Sequence, residues 1–261
     1  MVKGLDLFRE RFRPFQGSMT LIGGAACDEW FTTIGMNFRA TKDLDLVVML
    51  DAVNPLFIAA VRAFIEEGKY KISERSDGVP ILYRFANPES LNFPSKLEFC
   101  CRKPEKFELS DRQKYIPILT ELGKHSLSAI LLDNTYFELI QTHHDERDGL
   151  WVANVTSLIP LKAHAWLNLS KAKMKGEEVD SQNIKKHRAD IFRLAATLPG
   201  VAGPDLPQSI KENLESFLQE FPPDSEDWGA ILASLRNTIT GTLQPADLRE
   251  AIQTYFRLQT G

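Results

Sequence analysis

The hydrophobic positions of this chain change period along its length, and those changes divide it. Between residues 4 and 15, Leu5, Leu7, Phe8 and Phe12 recur at helical spacing among charged positions, which predicts a leading helix. "MTLIGG" then reads as a short strand that ends at Gly23 and Gly24, and "ACDEWFTTIGM" as a helix stopping near Gly35. "LDLVVML" is a second strand. "NPLFIAAVRAFIEEGKY" is an amphipathic helix, opened by Asn54 and Pro55 and closed at Gly68. "VPILYRFA" and "SKLEFCCR" are two further strands joined by the turn "NPESLNFP". This order predicts a small mixed α/β sheet over the first hundred residues.

Between about residues 105 and 155 the pattern is weaker. "HSLSAILL" and "LWVANV" read as strands, whereas "TYFELIQTHHDERDG" fits neither period. Beyond that the chain turns helical. "VTSLIPLKAHAWLNLSKAKMKG" carries Leu158, Leu161, Ala165 and Leu169 at three and four spacings and ends at Gly176. "VDSQNIKKHRADIFRLAATL" starts after a helix cap, Asp180 or Ser181, and ends before Pro199 and Gly200. Three shorter helical segments follow near 208–220, 225–237 and 245–258. The expected fold is α+β: a mixed-sheet domain over residues 1–125 and a mostly helical C-terminal domain over 126–261. The boundary falls somewhere between 120 and 155, and no Gly/Ser linker marks it.

Composition narrows the function classes. With 43% hydrophobic and 25% charged residues in 261, the chain has an ordinary globular make-up. A formal net charge of −4 argues against a surface that is basic throughout, although a local basic patch is compatible with it. No apolar run approaches the roughly 18 residues of a membrane span, and the charged, amphipathic N-terminus does not read as a signal peptide. The expectation is a cytoplasmic protein with no membrane partner. Cys27, Cys100 and Cys101 lack zinc-ligand spacing, and adjacent strand residues point to opposite faces, so reduced core thiols are expected. Trp166 and Phe192 read as core residues of their helices. His143, His144 and Asp145 are neighbours in a charged stretch, where convergence on one ion is unusual.

The candidate chemistry begins at "DLDL". On a strand, residues i and i+2 share a face, so Asp43 and Asp45 point the same way and Leu44 and Leu46 point into the core. Two carboxylates held that close repel unless a cation lies near them, and Mg²⁺ suits hard oxygen ligands that also share it with substrate phosphates. Upstream, strand, Gly23–Gly24 turn and helix N-terminus together present free N–H groups to an anion. Glu98, inside the apolar strand "SKLEFCC", can complete a carboxylate cluster as a metal ligand or as a base. Each part also has a plainer reading. Asp43 and Asp45 can be the wet edge of an amphipathic strand, Gly23–Gly24 a tight turn, and Glu98 a partner of Lys96 on its own face.

"LIGG", a helix, "DLDLVV" and a later isolated strand acid together resemble the DNA polymerase β-like nucleotidyltransferase superfamily over about residues 18–101. The resemblance implies that Asp43 and Asp45 bind divalent metal, Mg²⁺ or Mn²⁺, carrying an NTP such as ATP. It makes Glu98 the third acid and Gly23 and Gly24 the phosphate cradle. One departure is the 18 residues between Gly24 and Asp43, a longer gap than the family's. The extra length is expected to extend the helix or the "TIGMNFRAT" loop and to leave the acid strand unchanged.

In the helical half, "LIPLKAHAWLNL" and "SQNIKKHRADIFRL" resemble the AbiEii-type nucleotidyltransferase toxins. That resemblance places Lys162, Lys186, His187 and Asp190 in helices closing over the nucleotide, with Lys162 and Lys186 on its β and γ phosphates. It also leaves Arg39 as a candidate for the first motif's arginine. Lys186 and Asp190 are i,i+4 neighbours on a helix, within reach of each other. The implied activity is transfer of an NMP from an NTP to an acceptor, either an RNA 3′ end such as tRNA or a protein, with a cognate antitoxin as partner. Alternatives are a small-molecule, antibiotic-type nucleotidyltransferase and a catalytically weak nucleotide-binding module of the same fold. In the latter two Lys residues, snorkelling and simple ion pairing are the plainer roles.

Overall fold

The computed structural model describes residues 2–49, 54–74, 80–102, 115–118, 127–236, 238–239 and 241–259. The chain separates into two compact units, one of residues 1–30 and 40–154 and the other of 31–39 and 155–261. The expected boundary at 125/126 lies outside the described residues.

The first unit opens with helix α1 (Leu5–Phe12), extended by a 3-10 turn (Arg13–Phe15). Leu5, Phe8 and Phe12 are its buried face, as the spacing predicts. Strand β1 (Met19–Ile22) leads into helix α2 (Gly23–Thr33), and β2 (Asp43–Val48) into α3 (Pro55–Gly68). Asn54 caps α3 by accepting a hydrogen bond from the Phe57 N–H at 2.9 Å, and Pro55 occupies the first turn, where its missing N–H costs nothing. Strands β3 (Lys71–Glu74), β4 (Pro80–Ala86) and β5 (Lys96–Arg102) follow, then β6 (Tyr115–Ile118) and β7 (Leu127–Leu132). The ambiguous segment after them resolves into helix α4 (Asn134–Thr142) and strand β8 (His144–Arg147), and β9 (Leu150–Ala153) closes the unit.

Among the described residues these strands form one mixed sheet of nine, with the path β3-β4-β5-β2-β1-β9-β8 and the β6–β7 pair attached at β5. The sheet is larger than the sequence suggested, because β3, β6 and β8 are four residues each and carry charges or a proline where β1 and β9, equally short, are apolar runs. β2 lies at its centre, antiparallel to β1 and parallel to β5. The outer edge of β5 is divided: Lys96–Glu98 pair with β4, and Cys100–Arg102 with β7.

Register sorts the side chains by face. Leu21, Leu46 and Phe99 are cross-strand neighbours, as are Leu44, Leu97 and Phe85, and all six are buried. The apolar face is completed near the helices by an aromatic cluster in which Phe8, Phe12, Phe57 and Phe64 stack or meet edge to face and Phe93 lies tilted against Phe64. Rings in these arrangements add to the area they bury. The opposite face of the same strands begins with Asp43, Asp45, Lys96 and Glu98. Cys27, Cys100 and Cys101 are buried free thiols, and burial raises the last two well above the ordinary thiol range, Cys101 to about 12.

The second unit is helical, with α5 (Val155–Met174), α6 (Ser181–Ala195), α7 (Gln208–Gln219), α8 (Trp228–Leu235) and α9 (Pro245–Phe256). Gly176 follows α5 in the left-handed region, φ 80°, which lacks a steric penalty only for glycine. Asp180 caps α6, its carboxylate accepting from the Gln182 N–H at 2.8 Å. The core gathers Trp166, Phe192, Phe217, Phe221 and Trp228 in mutual ring contact, and all five are buried. Among the described residues no helix is long and apolar enough to cross a membrane.

Candidate functional site

The sheet register assembles the predicted acids. Cα partners across β2 and β5 are Asp43 with Lys96 and Asp45 with Glu98, so three carboxylates and one ammonium share a face. The Lys96 Nζ lies 3.6 Å from Asp43 Oδ2, 3.9 Å from Asp45 Oδ1 and 3.6 Å from Glu98 Oε2. Arg84, the β4 partner of Glu98, donates from Nε to Glu98 Oε2 at 2.6 Å. Burial pulls the Lys96 pKa down, but Asp45, Glu98 and Asp43 outweigh it, and the net direction is upward. The ammonium is therefore charged at neutral pH. Asp43 is 37% exposed, Asp45 29% and Glu98 16%, so the cluster is partly open to solvent.

Gly23 has a role that sequence reasoning missed. Its φ is 70°, and a Cβ built there would lie 2.2 Å from Asp45 Oδ2. Any other residue would collide with the carboxylate or displace it, so the glycine seats Asp45 as well as opening the turn to α2. Gly24 is the next residue of that helix. Both readings of Glu98, cluster member and Lys96 partner, coexist in this geometry.

Asp43, Asp45 and Glu98 offer hard carboxylate oxygens of the kind Mg²⁺ and Mn²⁺ take, and a cation already lies within 4 Å of all three. The chemistry of the set fits a divalent ion. As the side chains stand, no group of three His, Cys, Asp or Glu is in metal-holding geometry among the described residues. Lys96 occupies the middle of the set.

In the second unit, Asp190 is the hub. It is 1% exposed and receives Lys162 Nζ at 2.9 Å, Arg39 Nη2 at 2.6 Å and Arg193 Nη1 at 2.7 Å. Arg39 also donates from Nε to the second carboxylate oxygen at 2.8 Å, a bidentate clasp. Arg193 is held in turn by Thr238 Oγ1 at 2.8 Å and the Ser234 carbonyl at 2.7 Å. Burial works to raise the Asp190 pKa, yet Lys162 and Arg39 outweigh it and hold the carboxyl far below the usual range. His187 is pushed down to about 4 by burial and by Lys162, against the opposing pull of Asp190. It is neutral at pH 7.

This differs from the sequence expectation in one contact. Lys186 is exposed, and the ion-pair partners of Asp190 among the described residues are Lys162, Arg39 and Arg193 rather than Lys186. Asp190 faces inward on α6 while Lys186 faces water, so helical spacing placed them near each other without placing them in contact. Lys162, itself buried, is committed to Asp190. The long segment between Gly24 and Asp43 has an explanation: residues 31–39 belong to the second unit and bring Arg39 to Asp190. His144 and Asp145 have structural duties. The His144 ring stacks on Trp151 at 4.4 Å and its Nδ1 lies 3.0 Å from the Ile140 carbonyl, while Asp145 pairs with Arg147.

No family model matches the chain, and no curated protein matches it. Among solved structures, an antigenic nucleotidyltransferase-like protein from Paracoccidioides brasiliensis is similar at 15% identity and a TM-score of 0.39, covering 85% of this chain and 86% of that one. A likeness at that score says nothing of this chain's chemistry.

Proposed function

We propose that the chain is a divalent-metal-dependent nucleotidyltransferase that moves an NMP from an NTP to an acceptor and releases pyrophosphate. The observation that carries this reading is the β2–β5 register, which brings Asp43, Asp45 and Glu98 onto one solvent-open face directly beside the β1–Gly23–α2 turn. Asp43, Asp45 and Glu98 would hold the metal, which when bound polarises the α-phosphate and stabilises charge on the leaving group. Gly23 leaves room for the Asp45 carboxylate, and the start of α2 presents N–H groups and the positive end of its dipole to an anion. Glu98 is the residue proposed to take the proton of the attacking hydroxyl, with Arg84 at 2.6 Å fixing its orientation.

The proposal rests on the first unit. In the second, Lys186 is an exposed cation and Lys162 and Asp190 are a buried pair, and their proposed role in nucleotide binding comes from the AbiEii-type resemblance. The same resemblance supplies the acceptor: an RNA 3′ end such as tRNA, or a protein, in a toxin with a cognate antitoxin. The position of Lys96 favours one other reading, a nucleotide-binding module whose acids are neutralised from within.

One experiment separates these. The protein is incubated with α-phosphate-labelled NTPs, Mg²⁺ and, separately, total tRNA, cell protein or an aminoglycoside, alongside Asp45→Asn. The expected result is label in one acceptor pool and a loss on the order of 10²-fold in the variant, with its melting temperature unchanged. Label in no pool, or equal labelling by both proteins, would overturn the transferase reading. Binding of Mg–NTP without transfer would select the module.

A further inference from the structure

Lys96 differs from every other cation that meets a carboxylate in these two clusters. Arg84 reaches Glu98 at 2.6 Å, and Lys162, Arg39 and Arg193 reach Asp190 at 2.6–2.9 Å, all within direct hydrogen-bond range. The Lys96 Nζ stands 3.6, 3.9 and 3.6 Å from three different acids and is beyond that range from each. It is a shared point charge, held by the summed field of the cluster. Its stem is flexible, it presents no planar fork to lock onto one carboxylate, and it is 29% exposed.

We propose that Lys96 is a built-in counter-cation of the Asp43–Asp45–Glu98 set, which a divalent ion must displace in order to bind. This rests on the metal-binding reading above and adds its regulation. With Lys96 and Arg84 in place the five charges sum to −1. A divalent ion entering beside the ammonium would meet a charge of its own sign at the point where the three acids converge. Without metal, Lys96 relieves the repulsion among the carboxylates that the strand period and the β2–β5 register hold on one face. With metal, its stem lets the ammonium swing outward, where it faces whatever anion arrives with the ion. Loading of the site is therefore an exchange of one cation for another. Occupancy should respond to the metal concentration more weakly than three bare carboxylates would.

Mn²⁺ binding to the full-length chain, followed by the loss of the free-ion paramagnetic resonance signal without nucleotide, tests this directly. Lys96→Met keeps the length of the side chain and removes the charge, and is expected to bind Mn²⁺ on the order of tenfold more tightly than wild type. Lys96→Arg keeps the charge on a fork that can bond a carboxylate directly, and is expected to bind several-fold more weakly than wild type. It also preserves the charge balance should Lys96→Met fail to fold. Asp45→Asn should abolish binding in any background. Equal affinity of Lys96→Met and wild type, or tighter binding by Lys96→Arg, would overturn the exchange while leaving the metal site standing. Absence of Mn²⁺ binding in all four proteins would overturn both.

Discussion

The two charge clusters of this protein are near inversions of each other. On β2 and β5, three carboxylates share one lysine and one arginine, and the group is open to solvent. Around α5 and α6, one carboxylate is shared by a lysine and two arginines, and its oxygens are almost fully removed from water. Burial makes the difference between them. A buried charge without partners costs far more than an exposed one, so Asp190 requires every contact it has. The acids of the β2–β5 cluster, intermediate in exposure, are partly screened by water, and their cations can be exchanged. A cluster that must bind and release a ligand belongs in the solvent-open state, and one that must hold its unit together belongs in the buried one.

The strongest test of that contrast is to empty the buried hub. Asp190→Ala leaves Lys162, Arg39 and Arg193 facing one another without a counter-charge, and is expected to destabilise the protein by about 3–5 kcal/mol in chemical denaturation. A loss under about 1 kcal/mol would show that water reaches the cluster and that the contrast in burial is false.

A smaller effect should come through His187, whose pKa of about 4 lies below its ordinary value of 6.5 because of burial and Lys162. Folded protein then binds fewer protons than unfolded protein between those two values. The stability from a neutral His187 is complete above about 6.5 and declines as pH falls towards 4, by roughly 2 kcal/mol at pH 5. Asp190, with its pKa depressed, loses its contribution only as pH falls below the ordinary carboxylate range, and leaves this window unaffected. Denaturation curves at pH 7 and pH 5 should therefore show a fall in wild type that His187→Gln reduces by about that amount. An equal fall in both would remove His187 from the cluster's energetics.

The smallest effect is expected at the exposed cluster. Arg84 is 47% exposed, so Arg84→Ala should change stability by about 1 kcal/mol or less despite its 2.6 Å bond to Glu98. A cost comparable to that of Asp190→Ala would mean that the acid cluster, too, is structural.

Much of the first cluster was legible before any fold was known. Asp43 and Asp45 are two apart on a strand whose intervening residues are apolar, and the period of a strand alone puts them on one face. Glu98 stood out because a charge within "SKLEFCC" contradicts its apolar neighbours. Helices α1, α3, α6, α7 and α9 were equally legible, since each has an apolar stripe bounded by a cap or a turn. What escaped was of two kinds. β3, β6 and β8 are four residues each and hold charges or a proline, so no apolar run marks them as it marks β1 and β9. Arg39 and Asp190 are 151 positions apart, and no local pattern links them.

The amino-acid sequence alone determined which residues carry charge into apolar segments and which face of its own strand or helix each occupies, because those follow from the 2.0 and 3.6 periods of the backbone. It also determined that the chain would change from mixed strands and helices to helices alone. Only the tertiary structure decided who meets whom. The parallel pairing of β2 with β5 gave Asp45 the neighbour Glu98 and placed Lys96 among the acids. Residues 31–39 left the unit on either side of them and gave Asp190 an arginine where helical spacing had suggested Lys186. Pairing across a sheet and burial of a charge depend on contacts between distant segments, and the free energies that select them exist only once those segments are packed.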